Sequence, residues 1–356
     1  MEQVMKIMHI LNEFVDVGNG IVNVCCDLAC MQAKMGYDVV VVSRGGGHVA
    51  LLEQCGGRHV TLDQTRKVGN VLPMMWNFAK ILKAEKPDIV HSHMMTGAGL
   101  AALFRKLRFP FRTVSTVHNV YQKSFRIMCL SDLIVCLSDR VRQQISAGHR
   151  NANRMIVIEN GVIGSPRRAD PATVEPLKLD RPAIITIGGV CERKGADIFL
   201  DAMEQLGRTD IHVYWIGNKD WPEFETRLNA SSMRDNFHLV GFEGEPLRYL
   251  KGADLFVLAS RRETFPLSIL EAKEAGLPII CSDVDGNADA VREGKEGLLV
   301  SVGSSEKLAA AISKVLSSPE LASSLAEASR ESCVRYSVDT MTREYITAYQ
   351  KLLAAR

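Results

Sequence analysis

Short apolar runs rich in Val and Ile alternate with longer helical patterns along almost the whole chain, and this alternation limits the fold more than any other feature. It is typical of parallel α/β architecture, in which a helix connects each strand to the next. We predict six strands in the first half, over residues 6–11, 38–43, 88–93, 113–118, 133–138 and 155–160. Six more are predicted in the second half, over residues 183–189, 212–217, 237–242, 255–260, 278–283 and 297–301. Each set of six predicts one doubly wound sheet.

The chain length favours two domains, because 356 residues exceed the usual size of one hydrophobic core. Residues 164 to 182, GSPRRADPATVEPLKLDRP, contain four prolines and many charges without apolar periodicity, so we interpret them as a linker. The predicted domains are residues 1 to 163 and 183 to 336. Residues 337 to 356 predict a terminal amphipathic helix, with apolar side chains at helical spacing: Met341, Tyr345, Tyr349 and Leu352.

Composition favours a cytoplasmic protein. There is no run of 18 or more apolar residues, and the N-terminal MEQVMKIMHIL contains an acid and a lysine, unlike a signal peptide. The nine cysteines are odd in number and include no C-x-x-C pair. Cys25, Cys26 and Cys30 fall within a predicted helix, and we favour packing over a zinc-binding role for them.

Positive charge is concentrated in the first half of the chain. Residues 1 to 165 contain 19 Lys and Arg against 12 Asp and Glu, a net charge of +7, and the remainder carries −5. Residues 104 to 126, FRKLRFPFRTVSTVHNVYQKSFR, mix basic and aromatic side chains. Such a mixture fits an anionic membrane surface or a phosphorylated acceptor, and equally a solvated face beside a buried strand. No recognised motif accompanies the charge, so nucleic acid is not an expected partner.

Sequence motifs follow several of the predicted strands. Ligands of doubly wound sheets bind at the carboxyl ends of the strands, so these loops are the candidate sites. The motifs are GNG at residues 18 to 20, the strand-ending His118, GGVCERKG at 188 to 195 and SRRETFP at 260 to 266. Two such domains facing one another would place them along a cleft.

The first and third of these loops suit anions. GNG opens a predicted helix, where a glycine lets backbone amides approach a phosphate. The full pattern G-x-G-x-x-G fails at Asn23, so a nicotinamide enzyme is not expected. Arg193 and Lys194 stand directly before another predicted helix, where two cations and the first-turn amides suit a diphosphate. The alternative for these cations is a solvated loop.

Two glutamates, Glu263 and Glu271, stand eight positions apart around a mostly apolar run. Pro266 predicts that a helix starts between residues 264 and 266, with Glu263 in the preceding loop and Glu271 in the second turn. Glu263 is better matched to neutral sugar hydroxyls than to phosphate, and Glu271 could accept from a ribose diol. Alternatively, Glu263 caps the helix and Glu271 is solvated.

The first-turn amides before and after Pro266 could also hold an anion. The amides belong to Thr264, Phe265 and Leu267, because proline has none.

With these motifs assembled, the chain resembles a retaining glycosyltransferase of the GT-B fold, family four (glycosyl transferases group 1). The resemblance spans nearly the whole chain and rests on TVHN, DLIVCLS, VIENGV, IGGVCERKG, VGFEGE, ADLFVLASRRETFPLSILEAKEAGLPIICSDVDG and EGLLV. It implies two Rossmann-like α/β domains facing across a cleft. The N-terminal domain would take the acceptor and the C-terminal domain the nucleotide-sugar donor, with the terminal helix crossing back to the N-terminal domain.

The resemblance also implies roles for residues of the C-terminal half. Glu263 would contact the transferred sugar, and Glu271 the ribose of the nucleotide. Lys194 matches the lysine that neutralises the diphosphate. Catalytic roles are thereby implied for Lys194 and Glu263.

In the N-terminal half, Gly20 matches a loop glycine near the diphosphate, and His118 matches a catalytic histidine beside the donor sugar. The chain departs from the family pattern at three positions. Gly189 stands where arginine is common, Asn19 where a second glycine is common, and Asp289 where glutamate is usual. Arg193 could replace the missing charge.

The implied reaction moves a sugar from a UDP- or GDP-linked donor to an acceptor hydroxyl with retention of anomeric configuration. Lys194, Arg193 and the amides at 264 to 267 would stabilise the leaving diphosphate, so we expect no metal and no cofactor. A front-face route is favoured because no carboxylate is identified as a nucleophile. His91 and His93, in HSH, could be metal ligands, but we favour packing or cleft contacts.

The expected partners are a nucleotide sugar and a glycan or lipid-linked acceptor. The basic and aromatic stretch at 104 to 126 favours peripheral contact with the inner membrane face, as in assembly of cell-surface polysaccharide, lipopolysaccharide or other glycolipid. The alternative functions are a GT-B-fold nucleotide-sugar epimerase or hydrolase, or a nucleotide-sugar-binding protein without turnover.

Overall fold

The structure, a computed structural model, describes residues 4 to 121, 125 to 147 and 152 to 355. The chain divides into two compact units. The first comprises Met1–Arg167 and Val338–Arg356, and the second comprises Arg168–Ser337. Each unit is built on a parallel β-sheet with connecting helices, as the α/β fold class predicts.

The first unit contains a seven-stranded parallel sheet. Its strands are β1 Lys6–Ile10, β2 Asp38–Ser43, β3 Arg58–Thr61, β4 Ile89–Ser92, β5 Arg112–Val117, β6 Leu133–Cys136 and β7 Met155–Val157. Their spatial order is β3-β2-β1-β4-β5-β6-β7. The chain therefore builds the sheet outwards from β1 and then in the other direction from β4. Such a switch point is where doubly wound sheets bind ligands.

Helices connect these strands because a crossover between parallel strands needs one. They are α1 Gly20–Lys34, α2 Val49–Gln54, α3 Val71–Glu85, α4 Met95–Lys106, α5 Phe125–Met128 and α6 Asp139–Ser146. A 3-10 turn, Val68–Asn70, leads into α3. Cys25, Cys26 and Cys30 lie on α1 and pack in the apolar core between α1 and the sheet.

The second unit contains a six-stranded parallel sheet in the order β10-β9-β8-β11-β12-β13. The strands are β8 Ala183–Ile187, β9 His212–Ile216, β10 Phe237–Gly241, β11 Leu255–Leu258, β12 Ile279–Ser282 and β13 Gly297–Val300. The helices are α7 Ala196–Leu206, α8 Pro222–Asn229, α9 Leu247–Gly252, α10 Leu267–Glu274, α11 Asp285–Ala290, α12 Ser305–Leu316 and α13 Pro319–Cys333. The switch point here lies between β8 and β11.

The last helix, α14 Val338–Ala354, belongs to the first unit and packs against α1. The amide of Val338 donates to the carbonyl of Ile163 at 2.9 Å. Two buried tyrosines of α14, Tyr345 and Tyr349, reach side chains of the first sheet. The terminal helix is therefore part of the core of the first unit.

Neighbouring arginines mark the boundary between the units. Arg167 binds Asp27 of α1 through two hydrogen bonds of 2.9 and 2.8 Å. The next residue, Arg168, pairs with Glu274 of α10 at 2.7 Å. Residues 168 to 182 continue along the second unit, where the amide of Leu177 donates to the carbonyl of Arg248.

All twelve predicted strands occur, but the prediction of six strands in the first half is wrong, because the first sheet has seven. The missed strand, β3, has only four residues, RHVT, and pairs on one side only, with β2. Both of its end residues are exposed, so it lacks the apolar run that identifies the other strands.

The described residues of the stretch 104 to 126, which are 104 to 121, 125 and 126, form part of the fold of the first unit. Phe104 and Phe111 are buried in the core beside β4, and Arg105 pairs with Asp132 at 3.5 Å. Lys123 lies outside the described residues. The two buried phenylalanines are therefore unavailable to a membrane. No helix in the described parts of the chain combines the length and apolar character needed to cross a bilayer.

Candidate functional site

Two loops of the second unit meet at its switch point. One follows β8 and contains the 3-10 turn Glu192–Lys194 before α7. The other follows β11 and precedes α10. Because β8 and β11 are neighbours in the sheet, their carboxyl ends bring the two loops side by side.

Arg261 ties the two loops together. Its backbone amide donates to the carbonyl of Arg193 at 2.8 Å, and Nη1 donates to the carbonyl of Glu192 at 2.6 Å. Its guanidinium also binds both carboxylate oxygens of Asp197 on α7, at 2.7 and 2.6 Å. A bidentate pair of this kind fixes orientation as well as distance.

Close packing at Gly195 keeps the loops in contact. Gly195 has a φ of +72°, in the left-handed region that favours glycine. A Cβ atom at this position would lie 2.0 Å from the carbonyl oxygen of Ala259. Only glycine fits where the turn before α7 meets the end of β11.

Lys194 lies in the loop after β8 and Glu263 in the loop after β11. The two side chains form a buried ion pair with 2.7 Å between Nζ and Oε1. Arg193 Nη1 approaches the same oxygen at 3.2 Å, and the Ser260 hydroxyl donates to it at 2.8 Å. Burial alone would raise the pKa of the Glu263 carboxyl, but Lys194 and Arg193 outweigh burial and hold the pKa below its ordinary value. The carboxylate is therefore anionic and held in place by three side chains.

The helix after Glu263 starts one residue later than the predicted range of 264 to 266. Pro266 occupies the N-cap position of α10, and Leu267 is the first helical residue. Thr264 and Phe265 are buried and Leu267 is half-buried. The amide of Gly286, on α11, donates to the carbonyl of Glu263 at 3.2 Å, which holds this segment from the other side.

Glu271 lies in the second turn of α10, as predicted, and is only 9% exposed. The alternative of a solvated Glu271 is therefore wrong. Arg168 lies beside it, pairing with Glu274 at 2.7 Å and lying 4.0 Å from Glu245. Burial opposes the charge on Arg168, but the attraction of Glu271, Glu274 and Glu245 outweighs it and raises the pKa of the arginine. One buried guanidinium thus attracts three carboxyl groups.

In the first unit, the predicted glycine loop leads directly into α1. Asn19 is the N-cap, and its side chain accepts a hydrogen bond from the amide of Ile21 at 3.1 Å. Gly20 is the exposed first residue of the helix. The capping bond gives a physical reason for asparagine at position 19.

His118 directly follows β5 and is joined to a row of buried histidines. His118 Nε2 lies 3.3 Å from His93 Nδ1, and His93 Nε2 lies 3.0 Å from His9 Nδ1. His9 Nε2 in turn lies 2.7 Å from Gln32 Oε1 on α1. His118 is partly exposed, whereas His93, His9 and Gln32 are buried. The row crosses the switch point of the first sheet, because His9 is on β1 and His93 follows β4.

His91 extends the buried polar cluster towards α14. Its Nε2 lies 2.8 Å from Thr116 Oγ1, and its Nδ1 lies 2.7 Å from the hydroxyl of Tyr349. Thr116 also lies 2.8 Å from the hydroxyl of Tyr345. Burial lowers the pKa of His91 well below its ordinary value, so the ring is neutral at pH 7.

The other three histidines are shifted in the same direction. Burial lowers the pKa of His9 to about 4, holds that of His93 well below its ordinary value and also lowers the pKa of His118. All four rings are therefore neutral at pH 7. We favoured packing or cleft contacts for His91 and His93, but the bonds of His93 to His9 and His118 and of His91 to Thr116 and Tyr349 were not predicted.

Two groups bear on metal binding. Among the described residues, His9, Cys25 and His93 are buried and offer ligand atoms within 4.8 Å of one another, although both histidines are already hydrogen bonded there. The sequence also contains one Asp-x-Asp pair, Asp283 and Asp285, at the end of β12. Metal independence stays a prediction.

The structure thus brings Lys194, Arg193 and Glu263 together in the second unit, while Gly20 and His118 belong to the first. Sequence reasoning missed several side chains that hold these residues: Arg261, Ser260, Arg168, Gln32 and His9. The double arginine of SRRETFP was the available signal for Arg261. The same motif begins with Ser260, and no motif marked Gln32, His9 or Arg168.

Comparison with known proteins supplies the family. Residues 18–163 match the family model described as Glycosyltransferase Family 4, and residues 171–332 match that described as Glycosyl transferases group 1. The chain belongs to the family-four glycosyltransferases of the GT-B type. The two matched segments contain Gly20 and His118 in one case and Lys194, Glu263 and Glu271 in the other.

Two curated relatives of this chain are bacterial glycosyltransferases. The N,N'-diacetylbacillosaminyl-diphospho-undecaprenol alpha-1,3-N-acetylgalactosaminyltransferase of Campylobacter jejuni is 24% identical over 349 residues, covering 89% of this chain and 92% of that protein. The lipopolysaccharide core biosynthesis glycosyltransferase LpsE of Rhizobium meliloti is 27% identical over 233 residues, covering 64% of this chain and 65% of that protein.

Solved structures share the fold at low identity. HepE of Anabaena, solved in complex with UDP and glucose, is similar with a TM-score of 0.83 at 18% identity, covering 97% of this chain and 99% of that one. At 18% identity this likeness shows a shared fold alone.

Proposed function

We propose that this glycosyltransferase moves a sugar from a nucleotide-diphosphate sugar to an acceptor hydroxyl with retention of anomeric configuration. The observation that carries the proposal is the Lys194 to Glu263 pair at the switch point of the second sheet. A lysine suits a diphosphate and a fixed carboxylate suits sugar hydroxyls, and here the two groups are adjacent.

In this proposal the donor diphosphate binds at Lys194 and Arg193, together with the amides of Thr264, Phe265 and Leu267. A diphosphate competes with Glu263 for Lys194, so donor binding weakens the ion pair and frees carboxylate oxygens for the sugar. Ser260 then keeps Glu263 oriented. The complex of HepE with UDP and glucose supports a nucleotide donor, which we expect to be UDP- or GDP-linked.

Glu271 is proposed to accept hydrogen bonds from the ribose of the donor. Its burial on α10 beside Arg168 supports a fixed position for this side chain, because the arginine attracts Glu271 together with Glu274 and Glu245.

The chemical step is proposed to follow a front-face route. The bond between the anomeric carbon and the diphosphate oxygen breaks, and the acceptor oxygen bonds to the same face of that carbon. The acceptor proton passes to the departing phosphate. Lys194 and Arg193 would stabilise the negative charge that develops on the diphosphate, without a metal or cofactor.

The first unit is proposed to contribute Gly20 near the diphosphate and His118 beside the sugar. Burial lowers the pKa of His118, so its ring is neutral at pH 7 and suits a sugar hydroxyl as a hydrogen-bond partner. The acceptor is proposed to be a glycan or a lipid-linked saccharide, handled in the cytoplasm at the inner membrane face. The names of the Rhizobium meliloti and Campylobacter jejuni relatives, with lipopolysaccharide core biosynthesis and a diphospho-undecaprenol substrate, support this setting in assembly of cell-surface polysaccharide or glycolipid.

A thermal-shift screen of UDP and GDP sugars tests donor binding. A true donor should raise the melting temperature in proportion to the logarithm of its concentration above the dissociation constant. No shift with any nucleotide sugar would contradict the proposal. The donor found should then be incubated with membrane or glycan acceptors, and the anomeric configuration of the product determined by NMR. An inverted product would refute retention.

Glu263→Gln tests the proposed division of roles. Turnover should fall by about 100-fold or more while nucleotide affinity is not reduced, because the carboxylate contacts the sugar and competes with the diphosphate for Lys194. Lys314→Ala, which removes an exposed lysine of α12, is the control. Turnover of Glu263→Gln at the wild-type rate would overturn the assignment.

Product analysis separates the rival functions. An epimerase or hydrolase would convert the donor without any acceptor, and a silent binding protein would bind the donor without releasing nucleotide. A transferase releases nucleotide in step with glycosylated acceptor.

A further inference from the structure

An exposed apolar row lies on the first unit at the start of α3. Val68, Leu72 and Trp76 are spaced four residues apart and are 95%, 76% and 61% exposed. Val71 beside them is also exposed. Single exposed apolar residues are common, but a contiguous row that includes a tryptophan indicates an interaction surface.

The opposite side of α3 holds the helix to the unit. Met74, Phe78 and Leu82 are buried in the core beside β1 and β4. An ordinary surface helix would present polar residues on its outer face. The outer apolar row of α3 therefore does not contribute to the core of the first unit.

Basic side chains flank the apolar row. Residues 64 to 84 contain four cations and no acid. The four are exposed: Arg66, Lys67, Lys80 and Lys83. Lys80 Nζ lies 3.2 Å from the centre of the Trp76 ring, so a cation and the largest apolar side chain share one spot.

We propose that residues 66 to 83 form a docking surface for an anionic lipid bilayer. Trp76, Leu72 and Val68 enter the boundary between headgroups and acyl chains, where tryptophan is favoured, and the four cations bind lipid phosphates. Charge complementarity selects this partner. In a symmetric contact between two copies the same four cations would face one another and repel. This surface is distinct from residues 104 to 126.

Sedimentation of the full chain with vesicles tests this surface. We expect binding to vesicles of phosphatidylglycerol and phosphatidylcholine, weakening with salt, and about tenfold or more weaker binding to phosphatidylcholine alone. Failure of the wild-type chain to bind the anionic vesicles would overturn the proposal.

Two double variants separate the apolar and electrostatic contributions. Leu72→Ser with Trp76→Ser, and Lys80→Glu with Lys83→Glu, should each reduce binding at least about tenfold. The matched controls are Leu130→Ser with Val334→Ser, which remove exposed apolar residues elsewhere, and Lys314→Glu. Variants that bind as the wild type does would overturn the proposal. So would a dimer that the Leu72 and Trp76 double variant dissociates without a change in vesicle binding.

A separate observation concerns the row of rings that ends at His118. A neutral imidazole has one donor and one acceptor nitrogen, so the direction of one hydrogen bond sets the direction of the next. The oxygen of Gln32 accepts from His9 Nε2, which leaves His9 Nδ1 to accept from His93 Nε2. His93 Nδ1 must then accept from His118 Nε2, and the Nδ1 of His118 is left as an acceptor.

We infer that Gln32, His9 and His93 are positioning residues that fix the tautomer of His118. The functional consequence rests on the role proposed for His118 above. An acceptor Nδ1 can bind a sugar hydroxyl as it donates, whereas the opposite tautomer would present N–H there. Because the rings are buried and neutral at pH 7, the tautomer rather than the charge of His118 is what the row controls.

Nitrogen-15 NMR of histidine-labelled protein tests the tautomer directly. In the wild type, His118 should show a protonated Nε2 and an unprotonated Nδ1. Gln32→Leu removes the terminal acceptor and should give a mixture of tautomers at His118. Gln32→Glu keeps an acceptor oxygen and should restore the wild-type pattern. Gln64→Leu, at another buried glutamine of the same unit, is the control.

Kinetics give the second readout. Gln32→Leu should lower kcat roughly tenfold while nucleotide affinity is unchanged, and Gln32→Glu should recover most of the loss. An Nδ1-protonated His118 in the wild type, or no change of tautomer in Gln32→Leu, would overturn the inference. If His118→Ala turns over normally, the proposed role of His118 fails, while the NMR result still decides whether the row sets its tautomer.

Discussion

The ion pair between Lys194 and Glu263 is the decisive contact of the candidate site at the scale of single residues. The sequence predicted a functional role for each residue, because each lies in a loop after a strand and fits a family motif. Their pairing could not be predicted, since 68 residues separate them in the chain and the direction of each side chain depends on the loop fold. Sequence spacing within a loop does not contain that information.

A double-mutant cycle should measure this pair. Glu263→Gln and Lys194→Met should each lower the free energy of unfolding by about 3 kcal/mol, because each leaves the other buried charge without its partner. The double variant should recover much of the loss, because neither charge is then left alone. Chemical denaturation of the four proteins gives the coupling. Strictly additive losses would mean that the two side chains do not interact.

At the scale of elements, Arg261 joins the loop after β8 to the loop after β11. We expect Arg261→Ala to weaken nucleotide binding about tenfold, because the loop that carries Arg193 and Lys194 loses the side-chain hydrogen bonds of Arg261 to the carbonyl of Glu192 and to Asp197. Arg261→Lys should bind the nucleotide nearly as weakly as Arg261→Ala, since lysine cannot bind Asp197 through two parallel hydrogen bonds.

Calorimetric titration of nucleotide into these variants checks the role of Arg261. Arg343→Ala, which breaks an exposed bidentate pair with Asp339 on α14, serves as the control and should bind as the wild type does. Wild-type affinity in Arg261→Ala would show that the two loops keep their arrangement without it.

The buried histidines of β1 and β4 should make the first unit sensitive to acid. The pKa of His9 is about 4 in the folded chain and near 6.5 when unfolded, so the unfolded state binds more protons between these values. The free energy of unfolding should therefore fall as the pH decreases from 6.5 towards 4. His9 alone accounts for a slope of up to roughly 1.4 kcal/mol per pH unit.

Denaturation at several pH values between 6.5 and 4.5 measures that slope. His9→Asn should have a shallower slope than the wild type, whatever its stability at pH 6.5. Gln64→Leu, which removes no titratable group, should keep the wild-type slope. Equal slopes for the wild type and His9→Asn would contradict the buried, neutral state of His9.

The elements themselves were largely predictable. Strands such as β2, DVVVVS, are marked by β-branched runs, and the starts of α1 and α10 are marked by GNG and by Pro266. The strand β3 could not be recognised, because an edge strand of four residues needs no apolar run. The histidine row was hidden for another reason: it depends on which strands are neighbours, and the order of strands is a property of the whole sheet.

At the scale of the whole molecule, the end of the chain completes the unit with which the chain begins. α14 covers β4 and β5 through Tyr349 and Tyr345, and no periodicity within residues 338 to 354 specifies that partner. We expect deletion of residues 338 to 356 to increase amide hydrogen exchange in β4 and β5, while exchange in β8 and β11 stays the same. Mass spectrometry of the exchanged peptides measures both. Equally faster exchange in all four strands, or unchanged exchange in β4 and β5, would contradict this organisation.

The central claim of the proposed transfer reaction is that the donor diphosphate binds at Lys194. Calorimetric titration of UDP and GDP into the wild type, Lys194→Ala and the control Lys314→Ala tests this claim most directly. We predict that the wild type and the control bind one of the two nucleotides equally well, and that Lys194→Ala binds it about tenfold or more weakly. Equal affinity in all three proteins would contradict the proposed donor site.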